Sequence, residues 1–528
     1  MSTIHFQLEK EHTTYDIKFE PSDVWSPEEV LIDGNRYQLT GDREQLEWLR
    51  SQIPQFLQHE NISLTNLRSR LIAIGAHDIS VSEKIHEVGI EVLSKYDQLI
   101  ATLQKRLEAI TARKLSLQKQ LQEAKDLHAP TVESLRAEVI EAKKAEMDAY
   151  LQYEEAKEQF RGNVLIRQNG RDFYFRSFGP KDPSGEPNTR ETRFCIASMT
   201  KQFTGASIAL LMQNSELITN PEVKSKLRDG TLSLDTPIKD LLPAKYWSEK
   251  WEGITLEQLI HHTSGIADYE EHEPSDDKRS QTFSLNELIE MVKQKELLFN
   301  PGEMHCYSNS GYVLLGAIIE NLSGKPLKDF MEENIFSRCA MNHTGLISSF
   351  ADYDEKCTAN GFHRANAGAL QPNSAHMQPI HISKAYAAGG LISTVDDLAM
   401  WNEALSSSTL FTDATKKMMF SCPDPRPVFN EDQKEAYDLD TDGRYHPKAG
   451  KEYPESSYGF GVVLLKTPNF PNHEKEGAIL NYSGLINGFC SRMDRFIPSK
   501  TSVIILENIS DVPTRDAIIS NLVNIMYF

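Results

Sequence analysis

Long apolar runs and a cysteine framework are both missing from this sequence. No stretch approaches the roughly 20 apolar residues that a membrane-spanning helix requires, so no membrane span is expected. The six cysteines are scattered without a CxxC pair, which is typical of thiols in a reducing compartment. The first 20 residues lack the apolar segment of a secretory signal. We therefore expect a cytoplasmic location, with export by a route that needs no N-terminal signal peptide as the alternative.

Positive charge is also scarce. Lys and Arg number 56 against 76 Asp and Glu, which gives a formal net charge of −20. Phosphate binding requires clustered basic residues, so a nucleic-acid partner is not expected, and neither is an anionic membrane surface. The hydrophobic fraction of 39% is nevertheless that of a globular protein with a sizeable core.

Metal and phosphate motifs are absent as well. No His, Cys and Asp residues have zinc spacing, and no glycine-rich phosphate loop follows a predicted strand. The segment Asp438–Gly443 resembles the first half of an EF-hand loop, but Ala449 stands where the closing Glu should be. The sequence therefore predicts neither a metal nor an organic cofactor.

Three regions are present, as expected for a chain longer than one typical domain. Residues 1–78 predict a small α+β module of unknown role. Its strands include a hairpin around Asp33-Gly34, and helical patterns follow at about 43–57 and 63–74.

Residues 79–160 predict a coiled-coil helical hairpin. Apolar residues recur in steps of three and four from Leu93 to Leu121, with Lys114 as the one polar residue in the series. A second helical pattern begins at Val132, after a break at Ala129-Pro130. Two interpretations remain open. The hairpin is a spacer within the chain, or residues 85–160 mediate self-association or bind a protein partner.

Residues 161–528 alternate helical and strand patterns without a second linker. The region opens with a predicted strand pair around Gln168-Asn169-Gly170. The segment 422–457 is rich in Pro, Asp and Lys and is interpreted as an inserted surface loop.

A Ser-x-x-Lys motif lies before a helical pattern in this region. Its Ser198 and Lys201 would lie one helical turn apart on the same face. A desolvated lysine can accept the proton of a serine hydroxyl, which is what a serine nucleophile requires. The same tetrapeptide occurs at Ser116–Lys119 in the hairpin, so the motif gains meaning only from its context.

That context is an ordered series of further motifs, listed here: His262-Thr263-Ser264-Gly265, Pro301-Gly302, Tyr307-Ser308-Asn309 and Gly389-Gly390-Leu391. Together with Ser-x-x-Lys, the series resembles the class C β-lactamase, serine D-peptidase and esterase family of penicillin-recognising serine hydrolases, over about residues 160–528. The resemblance implies an α+β fold: a β-lactamase/transpeptidase-like antiparallel sheet flanked by helices, with a helical subdomain at roughly 215–380. The coiled-coil hairpin and the N-terminal module would precede it.

The resemblance also implies roles for individual residues. Ser198 matches the acylated nucleophile and Lys201 its partner base. Tyr307 matches the phenol that shares the proton and protonates the leaving group, and Asn309 the amide that holds the substrate carbonyl. His262 is interpreted as structural.

The third family motif departs from the pattern. Tyr482-Ser483-Gly484-Leu485 occupies the place of the sheet-edge Lys/His-Thr/Ser-Gly strand, with Tyr482 replacing the basic residue. In the family that basic residue helps to bind a substrate carboxylate. The loss of charge favours an ester, a neutral amide or a thioester over classical penicillin or D-Ala-D-Ala substrates. The resemblance implies an oxyanion hole formed by the backbone N–H groups of Ser198 and Leu485, which needs no particular side chain.

The resemblance predicts a serine hydrolase that acts on a small-molecule or peptide-like substrate through an acyl-enzyme. Two alternatives stay open. In an acyltransferase on the same scaffold, an alcohol or amine would replace water in the second step. In a pseudoenzyme, the protein would be an interaction scaffold built on the hairpin.

Overall fold

The computed structural model describes most of the chain from residue 91 onward, and the backbone of six strands before it. The chain divides into two units, residues 1–159 with 364–371, and residues 160–363 with 372–528. The described residues beyond 90 are 91–269, 282–347, 358–364, 370–372, 382–422, 425–455, 458–466, 478–486, 488–497, 499–510 and 515–527.

A six-stranded sheet forms the first part of the N-terminal unit. Its strands are β1 (Ile4–Lys10), β2 (Thr13–Pro21), β3 (Glu29–Ile32), β4 (Asn35–Thr40), β5 (Asn61–Ile62) and β6 (Ala76–Val81). They are arranged in the order β5-β3-β4-β2-β1-β6. Strands β3 and β4 pair antiparallel on either side of Asp33-Gly34. Those two turn residues, and the helices predicted at 43–57 and 63–74, lie outside the described residues.

Two helices follow in the same unit, α1 (Glu91–Asp126) and α2 (Val132–Ala156). They run antiparallel, because Leu117 packs on Val139 and Ala142 near the connection while Thr111 bonds to Glu146 farther from it. The polar Lys114 lies within this apolar seam, where its Nζ is 2.8 Å from a Glu146 carboxylate oxygen. A buried ion pair fixes the register of such helices.

The sheet of the C-terminal unit has the order β16-β17-β18-β19-β7-β8, with every neighbouring pair antiparallel. Its strands are β7 (Gly162–Gln168), β8 (Arg171–Phe178), β16 (Val463–Lys466), β17 (Ala478–Ile486), β18 (Phe489–Phe496) and β19 (Thr501–Glu507). Asn169 and Gly170, between β7 and β8, both have positive φ, 51° and 74°. This is the backbone that a two-residue Asn-Gly hairpin turn requires, so the predicted strand pair is confirmed.

Shorter strands lie between these segments. They are β9 (Phe194–Cys195), β10 (Gly345–Leu346), β11 (Phe362–Arg364), β12 (Leu370–Pro372), β13 (Leu391–Ser393), β14 (Tyr437–Leu439) and β15 (Tyr445–Pro447). Strand β13 pairs antiparallel with both β10 and β9, forming a small sheet beside the main one.

The helices of the unit are α3 (Thr200–Gln213), α4 (Pro221–Lys226), α5 (Ile238–Leu241), α6 (Leu256–Ile260), α7 (Leu285–Lys293), α8 (Asn309–Ser323), α9 (Leu327–Met331), α10 (Tyr386–Gly389), α11 (Val395–Ser406), α12 (Asp413–Met419) and α13 (Arg515–Tyr527). Helix α3 is buried from Thr200 to Leu211, on all sides. A helix without a polar face lies inside a core, so α3 is the central helix of the unit. None of the described helices combines the length and apolarity needed to cross a membrane.

The segment predicted as an inserted surface loop is more ordered than expected. Within 425–455, strands β14 and β15 form a hairpin, and Phe429 and Tyr437 are buried against Phe299 and Met304. Composition alone suggested a loop, because Pro, Asp and Lys outnumber the few aromatic residues that build this small core.

Candidate active site

Ser198 lies in a single 3-10 turn, Ala197–Met199, that leads directly into helix α3. The turn is anchored to strand β13 by a 3.0 Å hydrogen bond from the Ile196 N–H to the Leu391 carbonyl. Ala197 has φ of 46°, a left-handed conformation that costs a non-glycine residue about 1–3 kcal/mol. The surrounding backbone thus holds Ser198 on a strained turn, a feature common at catalytic sites.

Lys201 is completely buried one turn after Ser198. Its Nζ donates to three acceptors, Ser198 Oγ at 3.1 Å, Asn309 Oδ1 at 2.6 Å and the Ala388 carbonyl at 2.7 Å. An ammonium has three donors and no acceptor, so this arrangement matches the charged form of the lysine. The Nζ also lies 4.8 Å from the centre of the Tyr307 ring.

Tyr307 stands on the other side of the serine. Its hydroxyl lies 2.8 Å from Ser198 Oγ, and its side chain is partly exposed. The local sequence explains this position, because Ser308 caps helix α8 by accepting a hydrogen bond from the Gly311 N–H at 3.2 Å. The cap begins the helix at Asn309, so Tyr307 lies just before the helix and Asn309 in its first turn.

The carboxylate of Asp268 orients the Asn309 amide. Asp268 Oδ2 accepts from the Asn309 backbone N–H at 3.1 Å and from its Nδ2 at 2.9 Å. Because Asp268 holds the Nδ2 atom of Asn309, the Oδ1 atom of Asn309 faces Lys201 Nζ. The structure therefore brings Ser198, Lys201, Tyr307 and Asn309 into one hydrogen-bonded group, and adds Asp268, which the sequence analysis missed. The one available signal was its position three residues after the His-Thr-Ser-Gly motif.

Replacing Asp268 by alanine should lower kcat about 100-fold, because a small misplacement of a catalytic group has an effect of that size. The Asn309 amide would lose both bonds that fix its orientation and would no longer present Oδ1 to Lys201. Asp268→Asn keeps an acceptor oxygen and should recover most of the rate. Steady-state kinetics of both variants test this. Equal losses in Asp268→Asn and Asp268→Ala would show that the orientation of Asn309 is not what Asp268 provides.

His262 supports the segment that carries Tyr307. Its Nδ1 accepts from the Ser308 N–H at 3.1 Å, and its carbonyl accepts from the Cys306 N–H at 2.9 Å. The ring lies 4.5 Å from that of Tyr307. Burial lowers the pKa of His262 well below its usual value, so the imidazole is neutral. The interpretation of His262 as structural agrees with these contacts: it holds both neighbours of Tyr307.

A half-buried histidine next to His262 gives a pH dependence of stability. Burial lowers the pKa of His305 from 6.5 to about 4, and neither ring nitrogen has a hydrogen-bond partner within the described part of the chain. Because the unfolded chain binds the proton more readily, folding stability should fall as the pH drops from about 6.5 toward 4, by up to about 3 kcal/mol. Thermal unfolding across this range tests the effect. His305→Phe should flatten the curve, and an unchanged slope in that variant would assign the acid sensitivity to other groups.

The third motif, Tyr482-Ser483-Gly484-Leu485 on strand β17, lies against Ser198 with its backbone. A Cβ atom on Gly484 would lie 2.2 Å from the Ile196 carbonyl and 2.9 Å from the Ser198 backbone nitrogen. Side chains alternate along a strand, so Ser483 and Leu485, both exposed, point to the opposite face from Gly484. Strand β17 therefore passes the nucleophile at backbone contact distance, which only glycine permits.

Tyr482, which occupies the place of the family's substrate-binding basic residue, is buried in the hydrophobic core. Its hydroxyl is buried without a hydrogen-bond partner among the described residues. The structure does not bring this group into contact with Ser198, Lys201 or Tyr307. Matching a motif in the sequence locates a residue on a strand, but the packing of its neighbours decides where the side chain lies.

Replacing Tyr482 by phenylalanine should therefore leave kcat/KM within about twofold of wild type. The thermal midpoint should be equal or higher, because the removal of a buried hydroxyl without a hydrogen-bond partner is neutral or stabilising. Kinetics and thermal unfolding of this variant provide the test. A loss of more than tenfold in kcat/KM would mean that the hydroxyl acts on the substrate after all.

In the acidic segment that resembles half of an EF-hand, Asp440 has both carboxylate oxygens engaged within the protein. Asp440 Oδ1 accepts from the backbone N–H groups of Asp442 and Arg444, and Oδ2 lies 2.9 Å from His446 Nε2. Among the residues that the structure describes, no group of three or more His, Cys, Asp or Glu side chains is arranged to hold a metal ion. The segment is a hairpin turn between β14 and β15.

The chain is similar to several known proteins. A family model described as Beta-lactamase matches residues 147–518. Penicillin-binding protein 4* of Bacillus subtilis (strain 168) is 25% identical over 366 residues, which are 67% of this chain and 69% of that protein. Protein flp of Staphylococcus aureus (strain NCTC 8325 / PS 47) is 28% identical over 219 residues, 41% of each chain.

A solved structure is similar as well. The D-amino acid amidase from Ochrobactrum anthropi SV3 complexed with D-phenylalanine has a TM-score of 0.56 and 21% identity, and the match covers 72% of this chain and 97% of that one. At this identity the likeness concerns the fold alone. Together with the matching family, it confirms the predicted fold class, an antiparallel sheet with helices and a helical subdomain.

Proposed function

The chain belongs to the beta-lactamase family, whose members are serine hydrolases, and on that premise we propose that it cleaves an amide, peptide or ester bond through an acyl-enzyme on Ser198. The observation that carries the proposal is the hydrogen-bonded group around this serine. Ser198 Oγ lies 3.1 Å from Lys201 Nζ and 2.8 Å from the Tyr307 hydroxyl. A serine with a phenol and an ammonium at these distances has the contacts that an activated nucleophile requires.

In the proposed reaction the base is the Tyr307 phenolate. The resemblance implies Lys201 as the partner base, but its Nζ already donates to three acceptors, so we assign it the ammonium form. Its charge, 4.8 Å from the centre of the Tyr307 ring, favours the phenolate. Ser198 Oγ attacks the substrate carbonyl carbon, and its proton passes to the phenolate oxygen. As the tetrahedral intermediate collapses, the carbon–nitrogen or carbon–oxygen bond breaks and the leaving group takes that proton from Tyr307.

The second step reverses the roles. Water attacks the acyl-enzyme, gives a proton to the Tyr307 phenolate, and Ser198 Oγ leaves with that proton. The negative charge on the carbonyl oxygen in both steps would be held by the backbone N–H groups of Ser198 and Leu485. The close approach of β17 to Ser198 at Gly484 supports this assignment.

The substrate that we propose carries no obligatory free carboxylate beside the scissile bond. Two relatives bear the names of a penicillin-binding protein and a D-amino acid amidase, which suggests a peptide or amide. The third motif has Tyr482 where the resemblance expects a basic residue, and its side chain is buried in the core. A neutral amide or an ester therefore fits better than a substrate recognised through its carboxylate.

A matched pair of substrates tests this specificity. We expect a D-alanyl-D-alanine peptide with an amidated C-terminus to be cleaved with kcat/KM at least equal to that of the free acid, and a p-nitrophenyl ester to be cleaved as well. Ser198→Ala is the control for background hydrolysis. A preference of tenfold or more for the free acid would contradict the proposed specificity without affecting the role of Ser198.

A further inference from the structure

A groove of about 480 Å³ lies in the C-terminal unit, lined by none of the residues proposed for catalysis. One wall is a row of side chains across three strands, because Arg495 on β18 pairs with Ser502 on β19, which pairs with Arg167 on β7. Residues directly opposite each other in an antiparallel sheet project from the same face. Helix α11 supplies the other wall through Asn402 and Glu403.

The groove is basic in a strongly acidic protein. Its charged side chains are those of Arg167, Lys416, Arg495 and Lys500 against the single carboxylate of Glu403. Glu403 is already engaged by Arg167, with a distance of 3.0 Å between Nη1 and Oε1. Lys416 pairs with Asp413 at 2.8 Å, and Arg167 also pairs with Asp172 at 2.9 Å. Arg495 and Lys500 are left without an ion pair among the described residues, although the chain as a whole has a net charge of −20.

Arg495 is the central feature of this groove. The residue is 8% exposed, and no carboxylate lies within ion-pair distance of it among the described residues. Its Nη2 donates to Ser406 Oγ at 2.7 Å, and its Cζ lies 5.6 Å from the centre of the Phe420 ring. Its Nη1 is buried and has no hydrogen-bond partner among the described residues. Buried charges in proteins are normally paired, because an unpaired one costs several kcal/mol.

Two further groove residues have buried polar atoms with no hydrogen-bond partner among the residues that the structure describes. These are Oδ1 of Asn402, an acceptor, and Oγ of Ser502, whose residue is 1% exposed. Buried polar atoms are nearly always hydrogen-bonded, so three such residues on one groove form an unusual concentration. Apolar side chains, among them Phe420 and Ile497, line the rest of it.

We propose that this groove is a binding site for a small organic anion, separate from the serine site. A carboxylate or phosphate of the ligand pairs with Arg495 and accepts from Ser502, a hydroxyl or amine of the ligand donates to Asn402, and an apolar body packs on Phe420 and Ile497. Each of the three unpaired groups then has a partner of the correct polarity.

The test is binding to the full chain, measured by calorimetry and by the shift in thermal midpoint at constant ionic strength. The probes are 3-phenyllactate and phenyl phosphate, which separate a carboxylate ligand from a phosphate ligand, with 3-phenylpropanol as the neutral control. We expect saturable binding of at least one anion, no binding of the alcohol, and a higher midpoint with the bound anion.

Two variants assign the binding to the groove. Arg495→Gln removes the charge, and Asn402→Asp keeps the side-chain shape but places a carboxylate in the groove. Each variant should weaken the binding of the anion about 10-fold or more, which is the effect expected from the loss of a hydrogen bond to a charged group. Arg228→Gln, an exposed arginine elsewhere, should leave the affinity unchanged.

Arg495 is buried, so Arg495→Gln can unfold the protein. Asn402→Asp changes a less buried residue and therefore still tests the groove if Arg495→Gln does not fold. If neither anion binds the wild type, or if a folded Asn402→Asp variant binds as tightly as Arg228→Gln, the proposal is wrong and solvent alone occupies the groove. These outcomes do not depend on hydrolysis, so they leave the role of Ser198 unaffected.

Discussion

Replacing Lys201 by methionine should lower the rate of Ser198 acylation about 1,000-fold, within the range measured for loss of a positioned acid–base group. Lys201 Nζ is the one charged donor that contacts Ser198 Oγ among the described residues, at 3.1 Å, and it also binds Asn309 Oδ1. When methionine removes the charge of Lys201, the Tyr307 phenolate loses the cation that stabilises it. Methionine has similar length and suits a completely buried site. Single-turnover acylation with an activated ester measures the effect.

The control for this variant is a second buried lysine. Lys181 is 4% exposed and pairs with Glu186 at 3.0 Å. Lys181→Met makes the same replacement of a buried ammonium by methionine, and it should cost no more stability because its partner Glu186 is exposed. It should acylate at the wild-type rate. If Lys201→Met retains more than a tenth of the wild-type rate while remaining folded, Lys201 does not stabilise the base as proposed.

Replacing Gly484 by alanine should reduce kcat/KM by about 100-fold or more, the effect of losing one oxyanion donor. The added Cβ would lie 2.2 Å from the Ile196 carbonyl and 2.9 Å from the Ser198 nitrogen, both backbone atoms that cannot rotate away. Strand β17 must therefore move away from the 3-10 turn, and the Leu485 N–H moves with it. The expected loss is in kcat, because the N–H groups act on charge that develops in the transition state.

A glycine in open surroundings provides the matched control. A Cβ on Gly345 would meet no atom within 4 Å, and its φ is not in the left-handed range. Gly345→Ala should keep wild-type kinetics and thermal midpoint. Normal kcat in a folded Gly484→Ala variant would show that β17 does not supply the oxyanion donor.

The order of short motifs made the fold and the grouping of Ser198, Lys201, Tyr307 and Asn309 predictable. Each motif depends on local chemistry that sequence reveals, such as the Ser308 cap that begins α8 after Tyr307. The Asn169-Gly170 turn is another local signal, because both residues require positive φ.

Contacts between distant segments could not be read in the same way. Asp268 is one acidic residue in a loop, and only the fold places its carboxylate against the Asn309 amide. The buried position of Tyr482 depends on packing around β17. The groove around Arg495 arises from strand register, which pairs residues that lie hundreds of positions apart, such as Arg167 and Ser502.

The central claim is that Ser198 is an activated nucleophile, and intact-mass spectrometry after incubation with a fluorophosphonate tests it most directly. We expect one covalent adduct on the wild-type chain, no adduct on Ser198→Ala, and a slower reaction in Lys201→Met. A parallel incubation with a penicillin should label the protein weakly or not at all, since Tyr482 replaces the basic residue of the third motif. A folded wild-type protein that gains no mass from the fluorophosphonate would contradict the account.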